Sequence, residues 1–590
     1  MSRDRERTKR EAETVSEDTV ETNGPAPSDV YESRDEHRYP TSEYTPVAYD
    51  NLEVSPATDA HPDSGTGGRF RTLDLPKVPK LKYVVGPSAI MLGASLGSGE
   101  TLFWPQLVAR YGWSLYWLFL VGVLAQFVVN TEIQRWTLAT GESVFRAMER
   151  LHPLVPFGFL LGGFASLGWP GWAASAAKVG AASLELGAIA FAGFELAGWR
   201  VLGIVLMVFV WLTYQLTPLM YNVVERLQIL LVGLSIAFAL VLFALIGSSA
   251  ELARLPGELA EFGQQPRVGT IAILLGGLAF AGAGGYLNLS QSLWVREKGY
   301  GMGRYQGRIK NPFAGDDPET VHENGFSFPP TAVNLERWRG WWRVTQLEHL
   351  LTFVAGLVLA TTALVAIAVT HAPGTTRTAV DMWLVDIAPS VGPVAAWVIY
   401  ATLFLALFTT EYAIVESFVR NSSDIIYELY GRDIGWQLPE LFWGLLTAFC
   451  AWGILILLLP VNIGAFSILV IGAAMSGLLM WPYIVVVQYI NAVRLPEHVM
   501  PGWGRVIAMW FAAGFFGYFS VLLVGTFFST NLGISVFAVE MAILGSSPGG
   551  YLLWAGYVVV QAFLVYRVTV AKLASEGTVA DSEAGQGWFP

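Results

Sequence analysis

The chain has 590 residues, of which 53% are hydrophobic and 14% are charged, and its mean hydropathy is +0.47. A soluble protein of this length needs far more charge to cover its surface, so the composition excludes that class and predicts a polytopic membrane protein. The net charge of −11 has the wrong sign for a nucleic-acid partner. The single cysteine, Cys450, excludes an intramolecular disulfide and any site built from several thiolates.

The chain opens with an acidic stretch that lacks apolar periodicity, which predicts a disordered cytoplasmic tail over residues 1–78. Apolar blocks about twenty residues long then recur through a predicted transmembrane domain, 79–573, and a second cytoplasmic tail covers 574–590. The fold class is all-α, because only helices and closed barrels satisfy the backbone in lipid. Twelve spans are predicted, at roughly 83–107, 112–136, 155–187, 199–218, 223–247, 270–293, 346–370, 391–416, 439–459, 465–490, 504–527 and 550–571.

Arginine is distributed unevenly between alternate loops. The loops on the side of the N-terminus hold most of it, for example Arg146, Arg296 and Arg337, whereas the other side holds few, such as Arg254 and Arg377. This bias predicts a plasma-membrane protein with both termini in the cytoplasm.

Two spans carry glycine clusters at membrane depth, Gly97-Ser98-Gly99-Glu100 in span 1 and Ala281–Gly285 in span 6. Glycine is costly inside a helix, so such clusters favour either unwinding or close packing between helices. The clusters open two successive units of five spans, at about 83–247 and 270–490. The pattern therefore predicts a 5+5 inverted repeat with broken helices 1 and 6, followed by two extra helices.

Five stretches carry a resemblance to a known family. They are Gly86-Pro87, YGWSLYWL at Tyr111–Leu118, ATGES at Ala139–Ser143, VVERLQILLV at the start of span 5 and YINAVRLPEHVMPGW after span 10. In their order and spacing the chain resembles the Nramp metal-ion transporters, of LeuT-type fold, over most of residues 83–510. The resemblance implies secondary active transport of a divalent metal or other cation, with proton coupling as a further expectation.

The motifs that hold the metal in that family are altered here. The family's Asp-Pro-Gly-Asn motif in helix 1 falls on Gly97–Glu100, and its Met-Pro-His motif in helix 6 falls on Ala281–Ala283. Glu100, a hard oxygen donor, is the predicted metal ligand. Binding of a proton or a substrate amine, or a structural pair with Lys178, is the alternative. The predicted substrate-binding residues are Gly97, Ser98, Gly99, Glu100, Ala281, Gly282, Ala283 and Gly284.

Four polar residues inside the spans are predicted to serve coupling or gating. They are Ser175 and Lys178 in span 3, Asn288 in span 6 and Glu411 in span 8. Because an unpaired buried charge is costly, Lys178 is expected to pair with Glu100. Structural ion pairing and hydrogen bonding between helices are the alternatives for all four.

The sequence contains no nucleophile–base pair and no nucleotide-binding motif, so neither an enzyme nor a nucleotide-driven pump is predicted, and no cofactor is expected. The leading hypothesis is a secondary transporter of a divalent metal or other cation. A transporter of the same fold for an amino acid or organic cation is the alternative, and a membrane sensor that does not transport is a third. The expected partners are a small solute or metal ion and the lipid bilayer, and the sequence indicates no oligomeric state.

Overall fold

The structure is a computed structural model. It describes residues 44–55, 69–81, 84–191, 194–216, 219–260, 271–313, 319–459, 464–531 and 547–575. Within these ranges, nine helices are long and apolar enough to cross a membrane. Two shorter apolar helices, Gly198–Thr213 and Ile271–Phe280, lie between them in the chain.

With residues 87–111 and 271–297 and the shorter helix Gly198–Thr213, the described helices correspond to the twelve predicted spans, and the predicted all-α polytopic architecture is confirmed. Spans 1 to 12 are 87–111, Trp113–Thr140, Leu154–Ser183, Gly198–Thr213, Met220–Ile246, 271–297, Ala332–His371, Pro393–Gly431, Leu438–Leu458, Ala465–Arg494, Trp503–Asn531 and Pro548–Ser575. Span 7 begins about four turns before its predicted start, because its first half is a polar helix that continues directly into the apolar one.

Span 1 is continuous, so the predicted break at Gly97–Glu100 is wrong. It consists of an α-helix at Pro87–Ser95, a π-helical segment at Leu96–Phe103 and an α-helix at Trp104–Tyr111. A π-helical segment bonds each N–H to the carbonyl five residues earlier, so it widens the helix without interrupting the chain of hydrogen bonds. The glycine cluster is used for close packing, as described below.

Span 6 is broken where the glycine cluster predicts. The α-helix Ile271–Phe280 ends before the cluster, and the α-helix Tyr286–Glu297 begins after it. Ala283 and Gly285 have φ angles of 58° and 79°, a left-handed conformation that no helix can accommodate. Span 3 is also interrupted, between Leu154–Leu167 and Gly171–Ser183, at a proline.

The predicted disordered tail is folded in the two parts that the structure describes, 44–55 and 69–81. Strand β1 (Arg71–Thr72) pairs in parallel with strand β4 (Phe326–Ser327), in the segment between spans 6 and 7. The prediction of disorder is wrong for these two parts, because apolar residues within the acidic sequence are buried against the spans. They are Phe70, Leu73 and Leu75.

The side of the molecule that carries residues 44–55, 69–81, 299–313 and 319–328 is called the N-terminal face. Span 7 anchors the N-terminal segment there: Leu75 N–H donates to Asn334 Oδ1 at 3.1 Å, and Trp341 Nε1 donates to the Pro76 carbonyl at 2.7 Å. The opposite face carries a short hairpin of strands β2 (Ala188–Phe191) and β3 (Phe194–Ala197). Helices Ser249–Leu259 and Ala379–Asp381 also follow spans that end on this face.

Candidate functional site

Span 1 packs against span 8 at its glycine cluster. Gly97 N–H donates to Thr410 Oγ1 at 2.8 Å, and the Thr410 hydroxyl donates to the Gly93 carbonyl at 2.8 Å. A Cβ atom on Gly97 would lie 2.5 Å from Thr410 Oγ1 and 2.6 Å from the Ala406 carbonyl oxygen. The Gly97 carbonyl accepts from Thr101 Oγ1 at 2.8 Å. Both backbone groups of Gly97 are therefore used within the protein.

The neighbouring glycine places span 1 against the broken span. A Cβ atom on Gly99 would lie 2.9 Å from the carbonyl carbon and oxygen of Phe280, the last residue before the break. The Phe280 ring in turn lies 5.1 Å, between ring centroids, from Trp172 of span 3. Glu100 therefore follows the point at which spans 1, 3 and 6 meet.

The carbonyls at the broken end of span 6 are occupied by side chains of other spans. Gln126 Nε2, from span 2, donates to the Ala279 carbonyl at 2.8 Å and lies 3.3 Å from the Leu278 carbonyl oxygen. Trp104 Nε1, from span 1, donates to the Gly277 carbonyl at 3.0 Å. The Gly277 carbonyl also keeps its helical bond from the Ala281 N–H, and the Ala279 carbonyl also accepts from the Gly284 N–H, so side chains and backbone together make the break a defined structure.

The glycines of the break also allow close packing. A Cβ atom on Gly282 would lie 2.4 Å from Cδ of Gln126, and one on Gly284 would lie 2.6 Å from Sδ of Met480 in span 10. Ala281 lies beside Gly122 of span 2, where an added Cβ would be 3.6 Å away. Close helix contact, which the sequence left as the alternative, therefore accounts for these positions geometrically.

Glu100 is fully buried, and neither carboxylate oxygen has a hydrogen-bond partner among the described residues. Further buried polar atoms of spans 1 and 3 share that property: Ser98 Oγ, Trp172 Nε1 and Ser175 Oγ. Unsatisfied buried groups are rare in proteins and costly, so a set of them calls for a ligand or ordered water. A carboxylate with hydroxyl oxygens is a donor set for a cation.

Lys178 does not pair with Glu100, so that prediction is wrong. Its ammonium binds Asp381 Oδ1 at 2.7 Å, and both side chains are about one-third exposed, at 33% and 34%. Burial opposes ionisation of Asp381, but hydrogen bonds from Lys178 and Thr378 hold the pKa of its carboxyl below the usual value. Lys178 lies towards the opposite face because it is near the end of span 3, where water can solvate it.

Glu411 and Asn288 are both buried and both hydrogen-bonded. Glu411 Oε2 accepts from the backbone N–H of Ala173 at 2.9 Å, at the interruption of span 3. Asn288 Nδ2 lies 2.7 Å from Gln126 Oε1, 2.8 Å from Asn130 Oδ1 and 2.8 Å from the Tyr483 hydroxyl. An amide nitrogen has two hydrogens, so at most two of these contacts are hydrogen bonds at once.

Several buried polar residues around this region are absent from the sequence prediction. Asn130 contacts both Asn288 and His349. The His349 ring contacts Ser88, and Ser88 contacts Glu348. Asn130 follows Gln126 by four residues, a spacing that places two polar side chains on one face of an apolar helix and is a usable signal. The partners on spans 1 and 7 give no such local signal.

Buried ion pairs tie spans 5, 6 and 8 together at the N-terminal face. Arg420 Nη1 lies 2.6 Å from Glu297 Oε1, and the same guanidinium contacts Glu416. Arg296 and Asp424 form a second pair at 2.8 Å, and Lys298 and Glu225 form a third. These pairs hold the ends of the three spans at the N-terminal face against one another.

Solved manganese transporters share this fold. Crystal structures of two variants of the Eremococcus coleocola manganese transporter match with a TM-score of 0.58 and 12% sequence identity, covering 84% of this chain and 97% of theirs. The same transporter in complex with an aromatic bis-isothiourea substituted compound matches with a TM-score of 0.57. No protein-family model and no curated protein sequence matches the chain. At 12% identity, the similarity supports the predicted Nramp-like fold alone.

The described residues contain no group of three or more His, Cys, Asp or Glu side chains that could hold a metal ion. At the candidate site of spans 1, 3 and 6, Glu100 is the carboxylate whose oxygens both lack a partner among the described residues, whereas Glu411 Oε2 already accepts from the Ala173 N–H. A transition-metal site normally has several nitrogen, sulfur or carboxylate ligands. The donor set fits a cation that needs a single negative charge better than it fits a divalent metal.

Proposed function

We propose that the chain is a secondary membrane transporter of a small cation, which binds between span 1 and the break of span 6. The observation that carries the proposal is the carboxylate of Glu100, buried in span 1 one residue after the glycine that packs on Phe280, with both oxygens unpartnered among the described residues. A carboxyl group in such a place is neutralised, either by a proton or by a cation that compensates its charge. A bound cation compensates the charge of the carboxylate. Release of the cation would leave a buried carboxylate without compensation, which is unfavourable, so the site can bind the cation again.

Charge balance favours a singly charged cargo, either a monovalent metal ion or a protonated amine. One carboxylate neutralises such an ion, whereas a divalent metal on the same site would leave a buried positive charge. The rest of the predicted site, Gly97–Gly99 and Ala281–Gly284, would shape the site through its close packing. Ser98 and Ser175 are proposed to contribute hydroxyl oxygens.

The first test is cation binding to the purified protein by thermal unfolding, because a ligand of the folded state raises the melting temperature. Na⁺, K⁺, methylammonium, Mg²⁺ and Mn²⁺ are compared at equal ionic strength in the wild type, in Glu100→Gln and in Glu411→Gln, a second buried carboxylate. A singly charged cation should stabilise the wild type and Glu411→Gln but not Glu100→Gln. Stabilisation by divalent metals alone overturns the charge argument, and equal stabilisation of Glu100→Gln overturns the site.

The second test is uptake of the same cation into proteoliposomes under an imposed membrane potential. Uptake that is lost in Glu100→Gln supports transport. A folded protein that binds the cation in a Glu100-dependent manner but does not move it would be a sensor, and the transport proposal would then fail.

We further propose that the N-terminal face is cytoplasmic, which the arginine bias supports. Phe313 is 67% exposed on this face, and Cys450 is the lone cysteine. In a Cys450→Ala background, a cysteine introduced by Phe313→Cys should react with an impermeant maleimide only after cells are permeabilised. Labelling of intact cells would reverse the orientation.

A further inference from the structure

A chain of buried hydrogen bonds joins the start of span 1 to spans 7 and 2. Ser88 Oγ contacts Glu348 Oε2 and lies 2.8 Å from His349 Nδ1, and His349 Nε2 lies 3.2 Å from Asn130 Nδ2. The exposed fraction of each of these four side chains is 2% or less. Asn130 Oδ1 accepts from Asn288, which connects the chain to the helix that follows the break.

Glu348 lies at the start of the first helix of span 1. Its carboxylate faces the backbone N–H groups of Gly86 and Ser88, at the N-terminus of the helix Pro87–Ser95, and its Oε1 atom has no hydrogen-bond partner among the described residues. The first N–H groups of a helix have no partner within the helix, and its dipole favours a negative charge at that end. The ionised carboxylate therefore holds the start of span 1 against span 7.

The hydrogen bonds have one consistent direction. The Asn130 amide can only donate to His349 Nε2, so the ring proton is on Nδ1, where it is donated to Ser88 Oγ. The Ser88 hydroxyl then donates to the Glu348 carboxylate. This assignment leaves His349 neutral and makes Glu348 Oε2 an acceptor, and it satisfies each contact along this path, while Glu348 Oε1 has no partner among the described residues and is the atom at which a proton can bind.

One added proton breaks the arrangement wherever it binds. On Glu348 it cancels the charge that the helix N-terminus stabilises. On His349 Nε2 it places an N–H opposite the N–H of Asn130, where no hydrogen bond is possible. In the first case span 1 loses its electrostatic contact with span 7, and in the second case span 7 loses its hydrogen bond to span 2.

We propose that Glu348, Ser88 and His349 form a proton-binding site, separate from Glu100, whose occupation releases the first turn of span 1 from span 7. This inference rests on the proposed function in one respect, that the movement of span 1 would serve transport. Proton binding and the release of span 1 do not require a bound cargo. The site lies at the π-helical segment His349–Val354, a local irregularity of the kind that is frequent at functional sites.

Few charged groups among the described residues lie near Glu348 and His349, where they could alter proton binding. Lys298 of span 6 is the cation that acts on Glu348, and it is itself paired with Glu225 of span 5. Tyr221 of span 5 also faces the carboxylate. From spans 2 and 7, the rings of Phe127 and Phe353 stack on the two sides of His349, at centroid distances of 5.8 Å and 4.6 Å.

The test measures the position of span 1 directly by pulsed electron-electron distance spectroscopy. Spin labels are attached to cysteines introduced by Val85→Cys, before span 1, and Ile507→Cys, on span 11, in a Cys450→Ala background. Both positions are exposed, at 38% and 57%. The wild-type background should show one distance at pH 8 and a second, growing population on acidification to pH 5.

Glu348→Gln, which is neutral at every pH, should show the second population already at pH 8. Glu440→Gln, a matched change at an exposed carboxylate of span 9, should follow the wild type. An unchanged pH response in Glu348→Gln would place the proton elsewhere. A wild type that keeps one distance from pH 8 to pH 5 would also overturn the proposal.

Ser88→Ala provides a second variant in case Glu348→Gln does not fold. It removes the hydroxyl that donates to the carboxylate, and a hydrogen bond to the charged form favours that form. The transition between the two distances should therefore move to higher pH. A transition at the wild-type pH would show that Ser88 does not belong to the proton site.

Discussion

The backbone N–H of Ala173 donates a 2.9 Å hydrogen bond to Glu411 Oε2, so a carboxylate of span 8 caps the second helix of span 3. Pro170 ends the continuous hydrogen bonding of span 3 and leaves N–H groups of Gly171–Ser183 without partners inside the helix. A carboxylate at that end also interacts favourably with the helix dipole. The interruption of one span is therefore stabilised by a residue of another.

Glu411→Ala should destabilise the protein by about 1 to 3 kcal/mol, because it leaves the Ala173 N–H buried without an acceptor. Glu411→Gln keeps an acceptor oxygen and should cost less. Thermal unfolding in one detergent measures both, with Glu440→Ala on span 9 as the exposed control. Equal stability of Glu411→Ala and the control would show that the cap contributes nothing.

Gln126→Leu should destabilise the break of span 6, since the carbonyls of Leu278 and Ala279 lose the side-chain donor and the Ala279 carbonyl keeps the Gly284 N–H, while the side-chain volume is nearly kept. The expected cost is about 1 to 3 kcal/mol. Gln437→Leu, at an exposed glutamine, is the matched control and should change stability little. Amide hydrogen exchange at Gly284 should also accelerate in Gln126→Leu, and unchanged exchange would count against a role in holding the break.

Gly97→Ala should destabilise the contact between spans 1 and 8 by about 1 to 3 kcal/mol, because its Cβ has no room beside Thr410 and the Ala406 carbonyl. Gly158→Ala in span 3 has nothing within 4 Å of the added atom. That control should be neutral or slightly stabilising. A Gly97→Ala protein as stable as the control would mean that the close approach is absent in the membrane.

Lys178→Met should cost only about 0 to 1 kcal/mol, because its ion pair with Asp381 is partly solvated. In double-mutant cycles, Lys178→Met and Asp381→Asn should be coupled, whereas Lys178→Met and Glu100→Gln should add. The measurement is the free energy of unfolding for all five variants. Coupling between Lys178 and Glu100 would restore the pairing that the structure contradicts.

Acidification should loosen the N-terminal segment through His322. Its ring stacks on Tyr49 with centroids 4.5 Å apart, and burial together with the Arg432 guanidinium lowers its pKa to about 4. A histidine with a depressed pKa stabilises the docked state fully above about pH 6.5, and this contribution falls between pH 6.5 and 4. The loss at pH 5 should be about 1 to 2 kcal/mol.

Limited proteolysis of residues 44–55 measures this effect, and cleavage should accelerate as the pH falls through that window. His322→Phe keeps an aromatic ring without a titratable group and should flatten the pH profile, after correction for the protease's own pH dependence. His152→Phe, at an exposed histidine, should keep the wild-type profile. A slope that survives in His322→Phe would assign the pH dependence to another group.

Hydropathy and composition predict the number of spans because each property is local to about twenty residues. The break of span 6 is predictable for a similar reason, since its glycines allow the positive φ angle of Gly285. In span 1 the glycine cluster does not produce the break that it predicts. Its glycines serve contacts with Thr410 and Phe280, and nothing near Gly97 in the sequence indicates which helix will pack there.

The partners of buried charges are the least predictable feature. Lys178 binds Asp381, which is 203 residues away in the chain, and the choice between Asp381 and Glu100 depends on the depth at which span 3 places the ammonium. Glu411 was expected to take part in coupling and instead accepts a backbone N–H of span 3. Whether it also serves coupling stays a prediction, as do the substrate roles at Gly97–Glu100.

The hydrogen bond between Leu75 and Asn334 joins residues 259 positions apart, and it carries a consequence for biosynthesis. When Leu75 leaves the ribosome, neither Asn334 nor strand β4 has been translated, so the N-terminal segment has no surface on which to fold. It must wait until six spans have been made and the start of the seventh emerges. Closure of the N-terminal face is therefore a late step of assembly, and a nascent chain arrested before span 7 should expose residues 69–81 to protease.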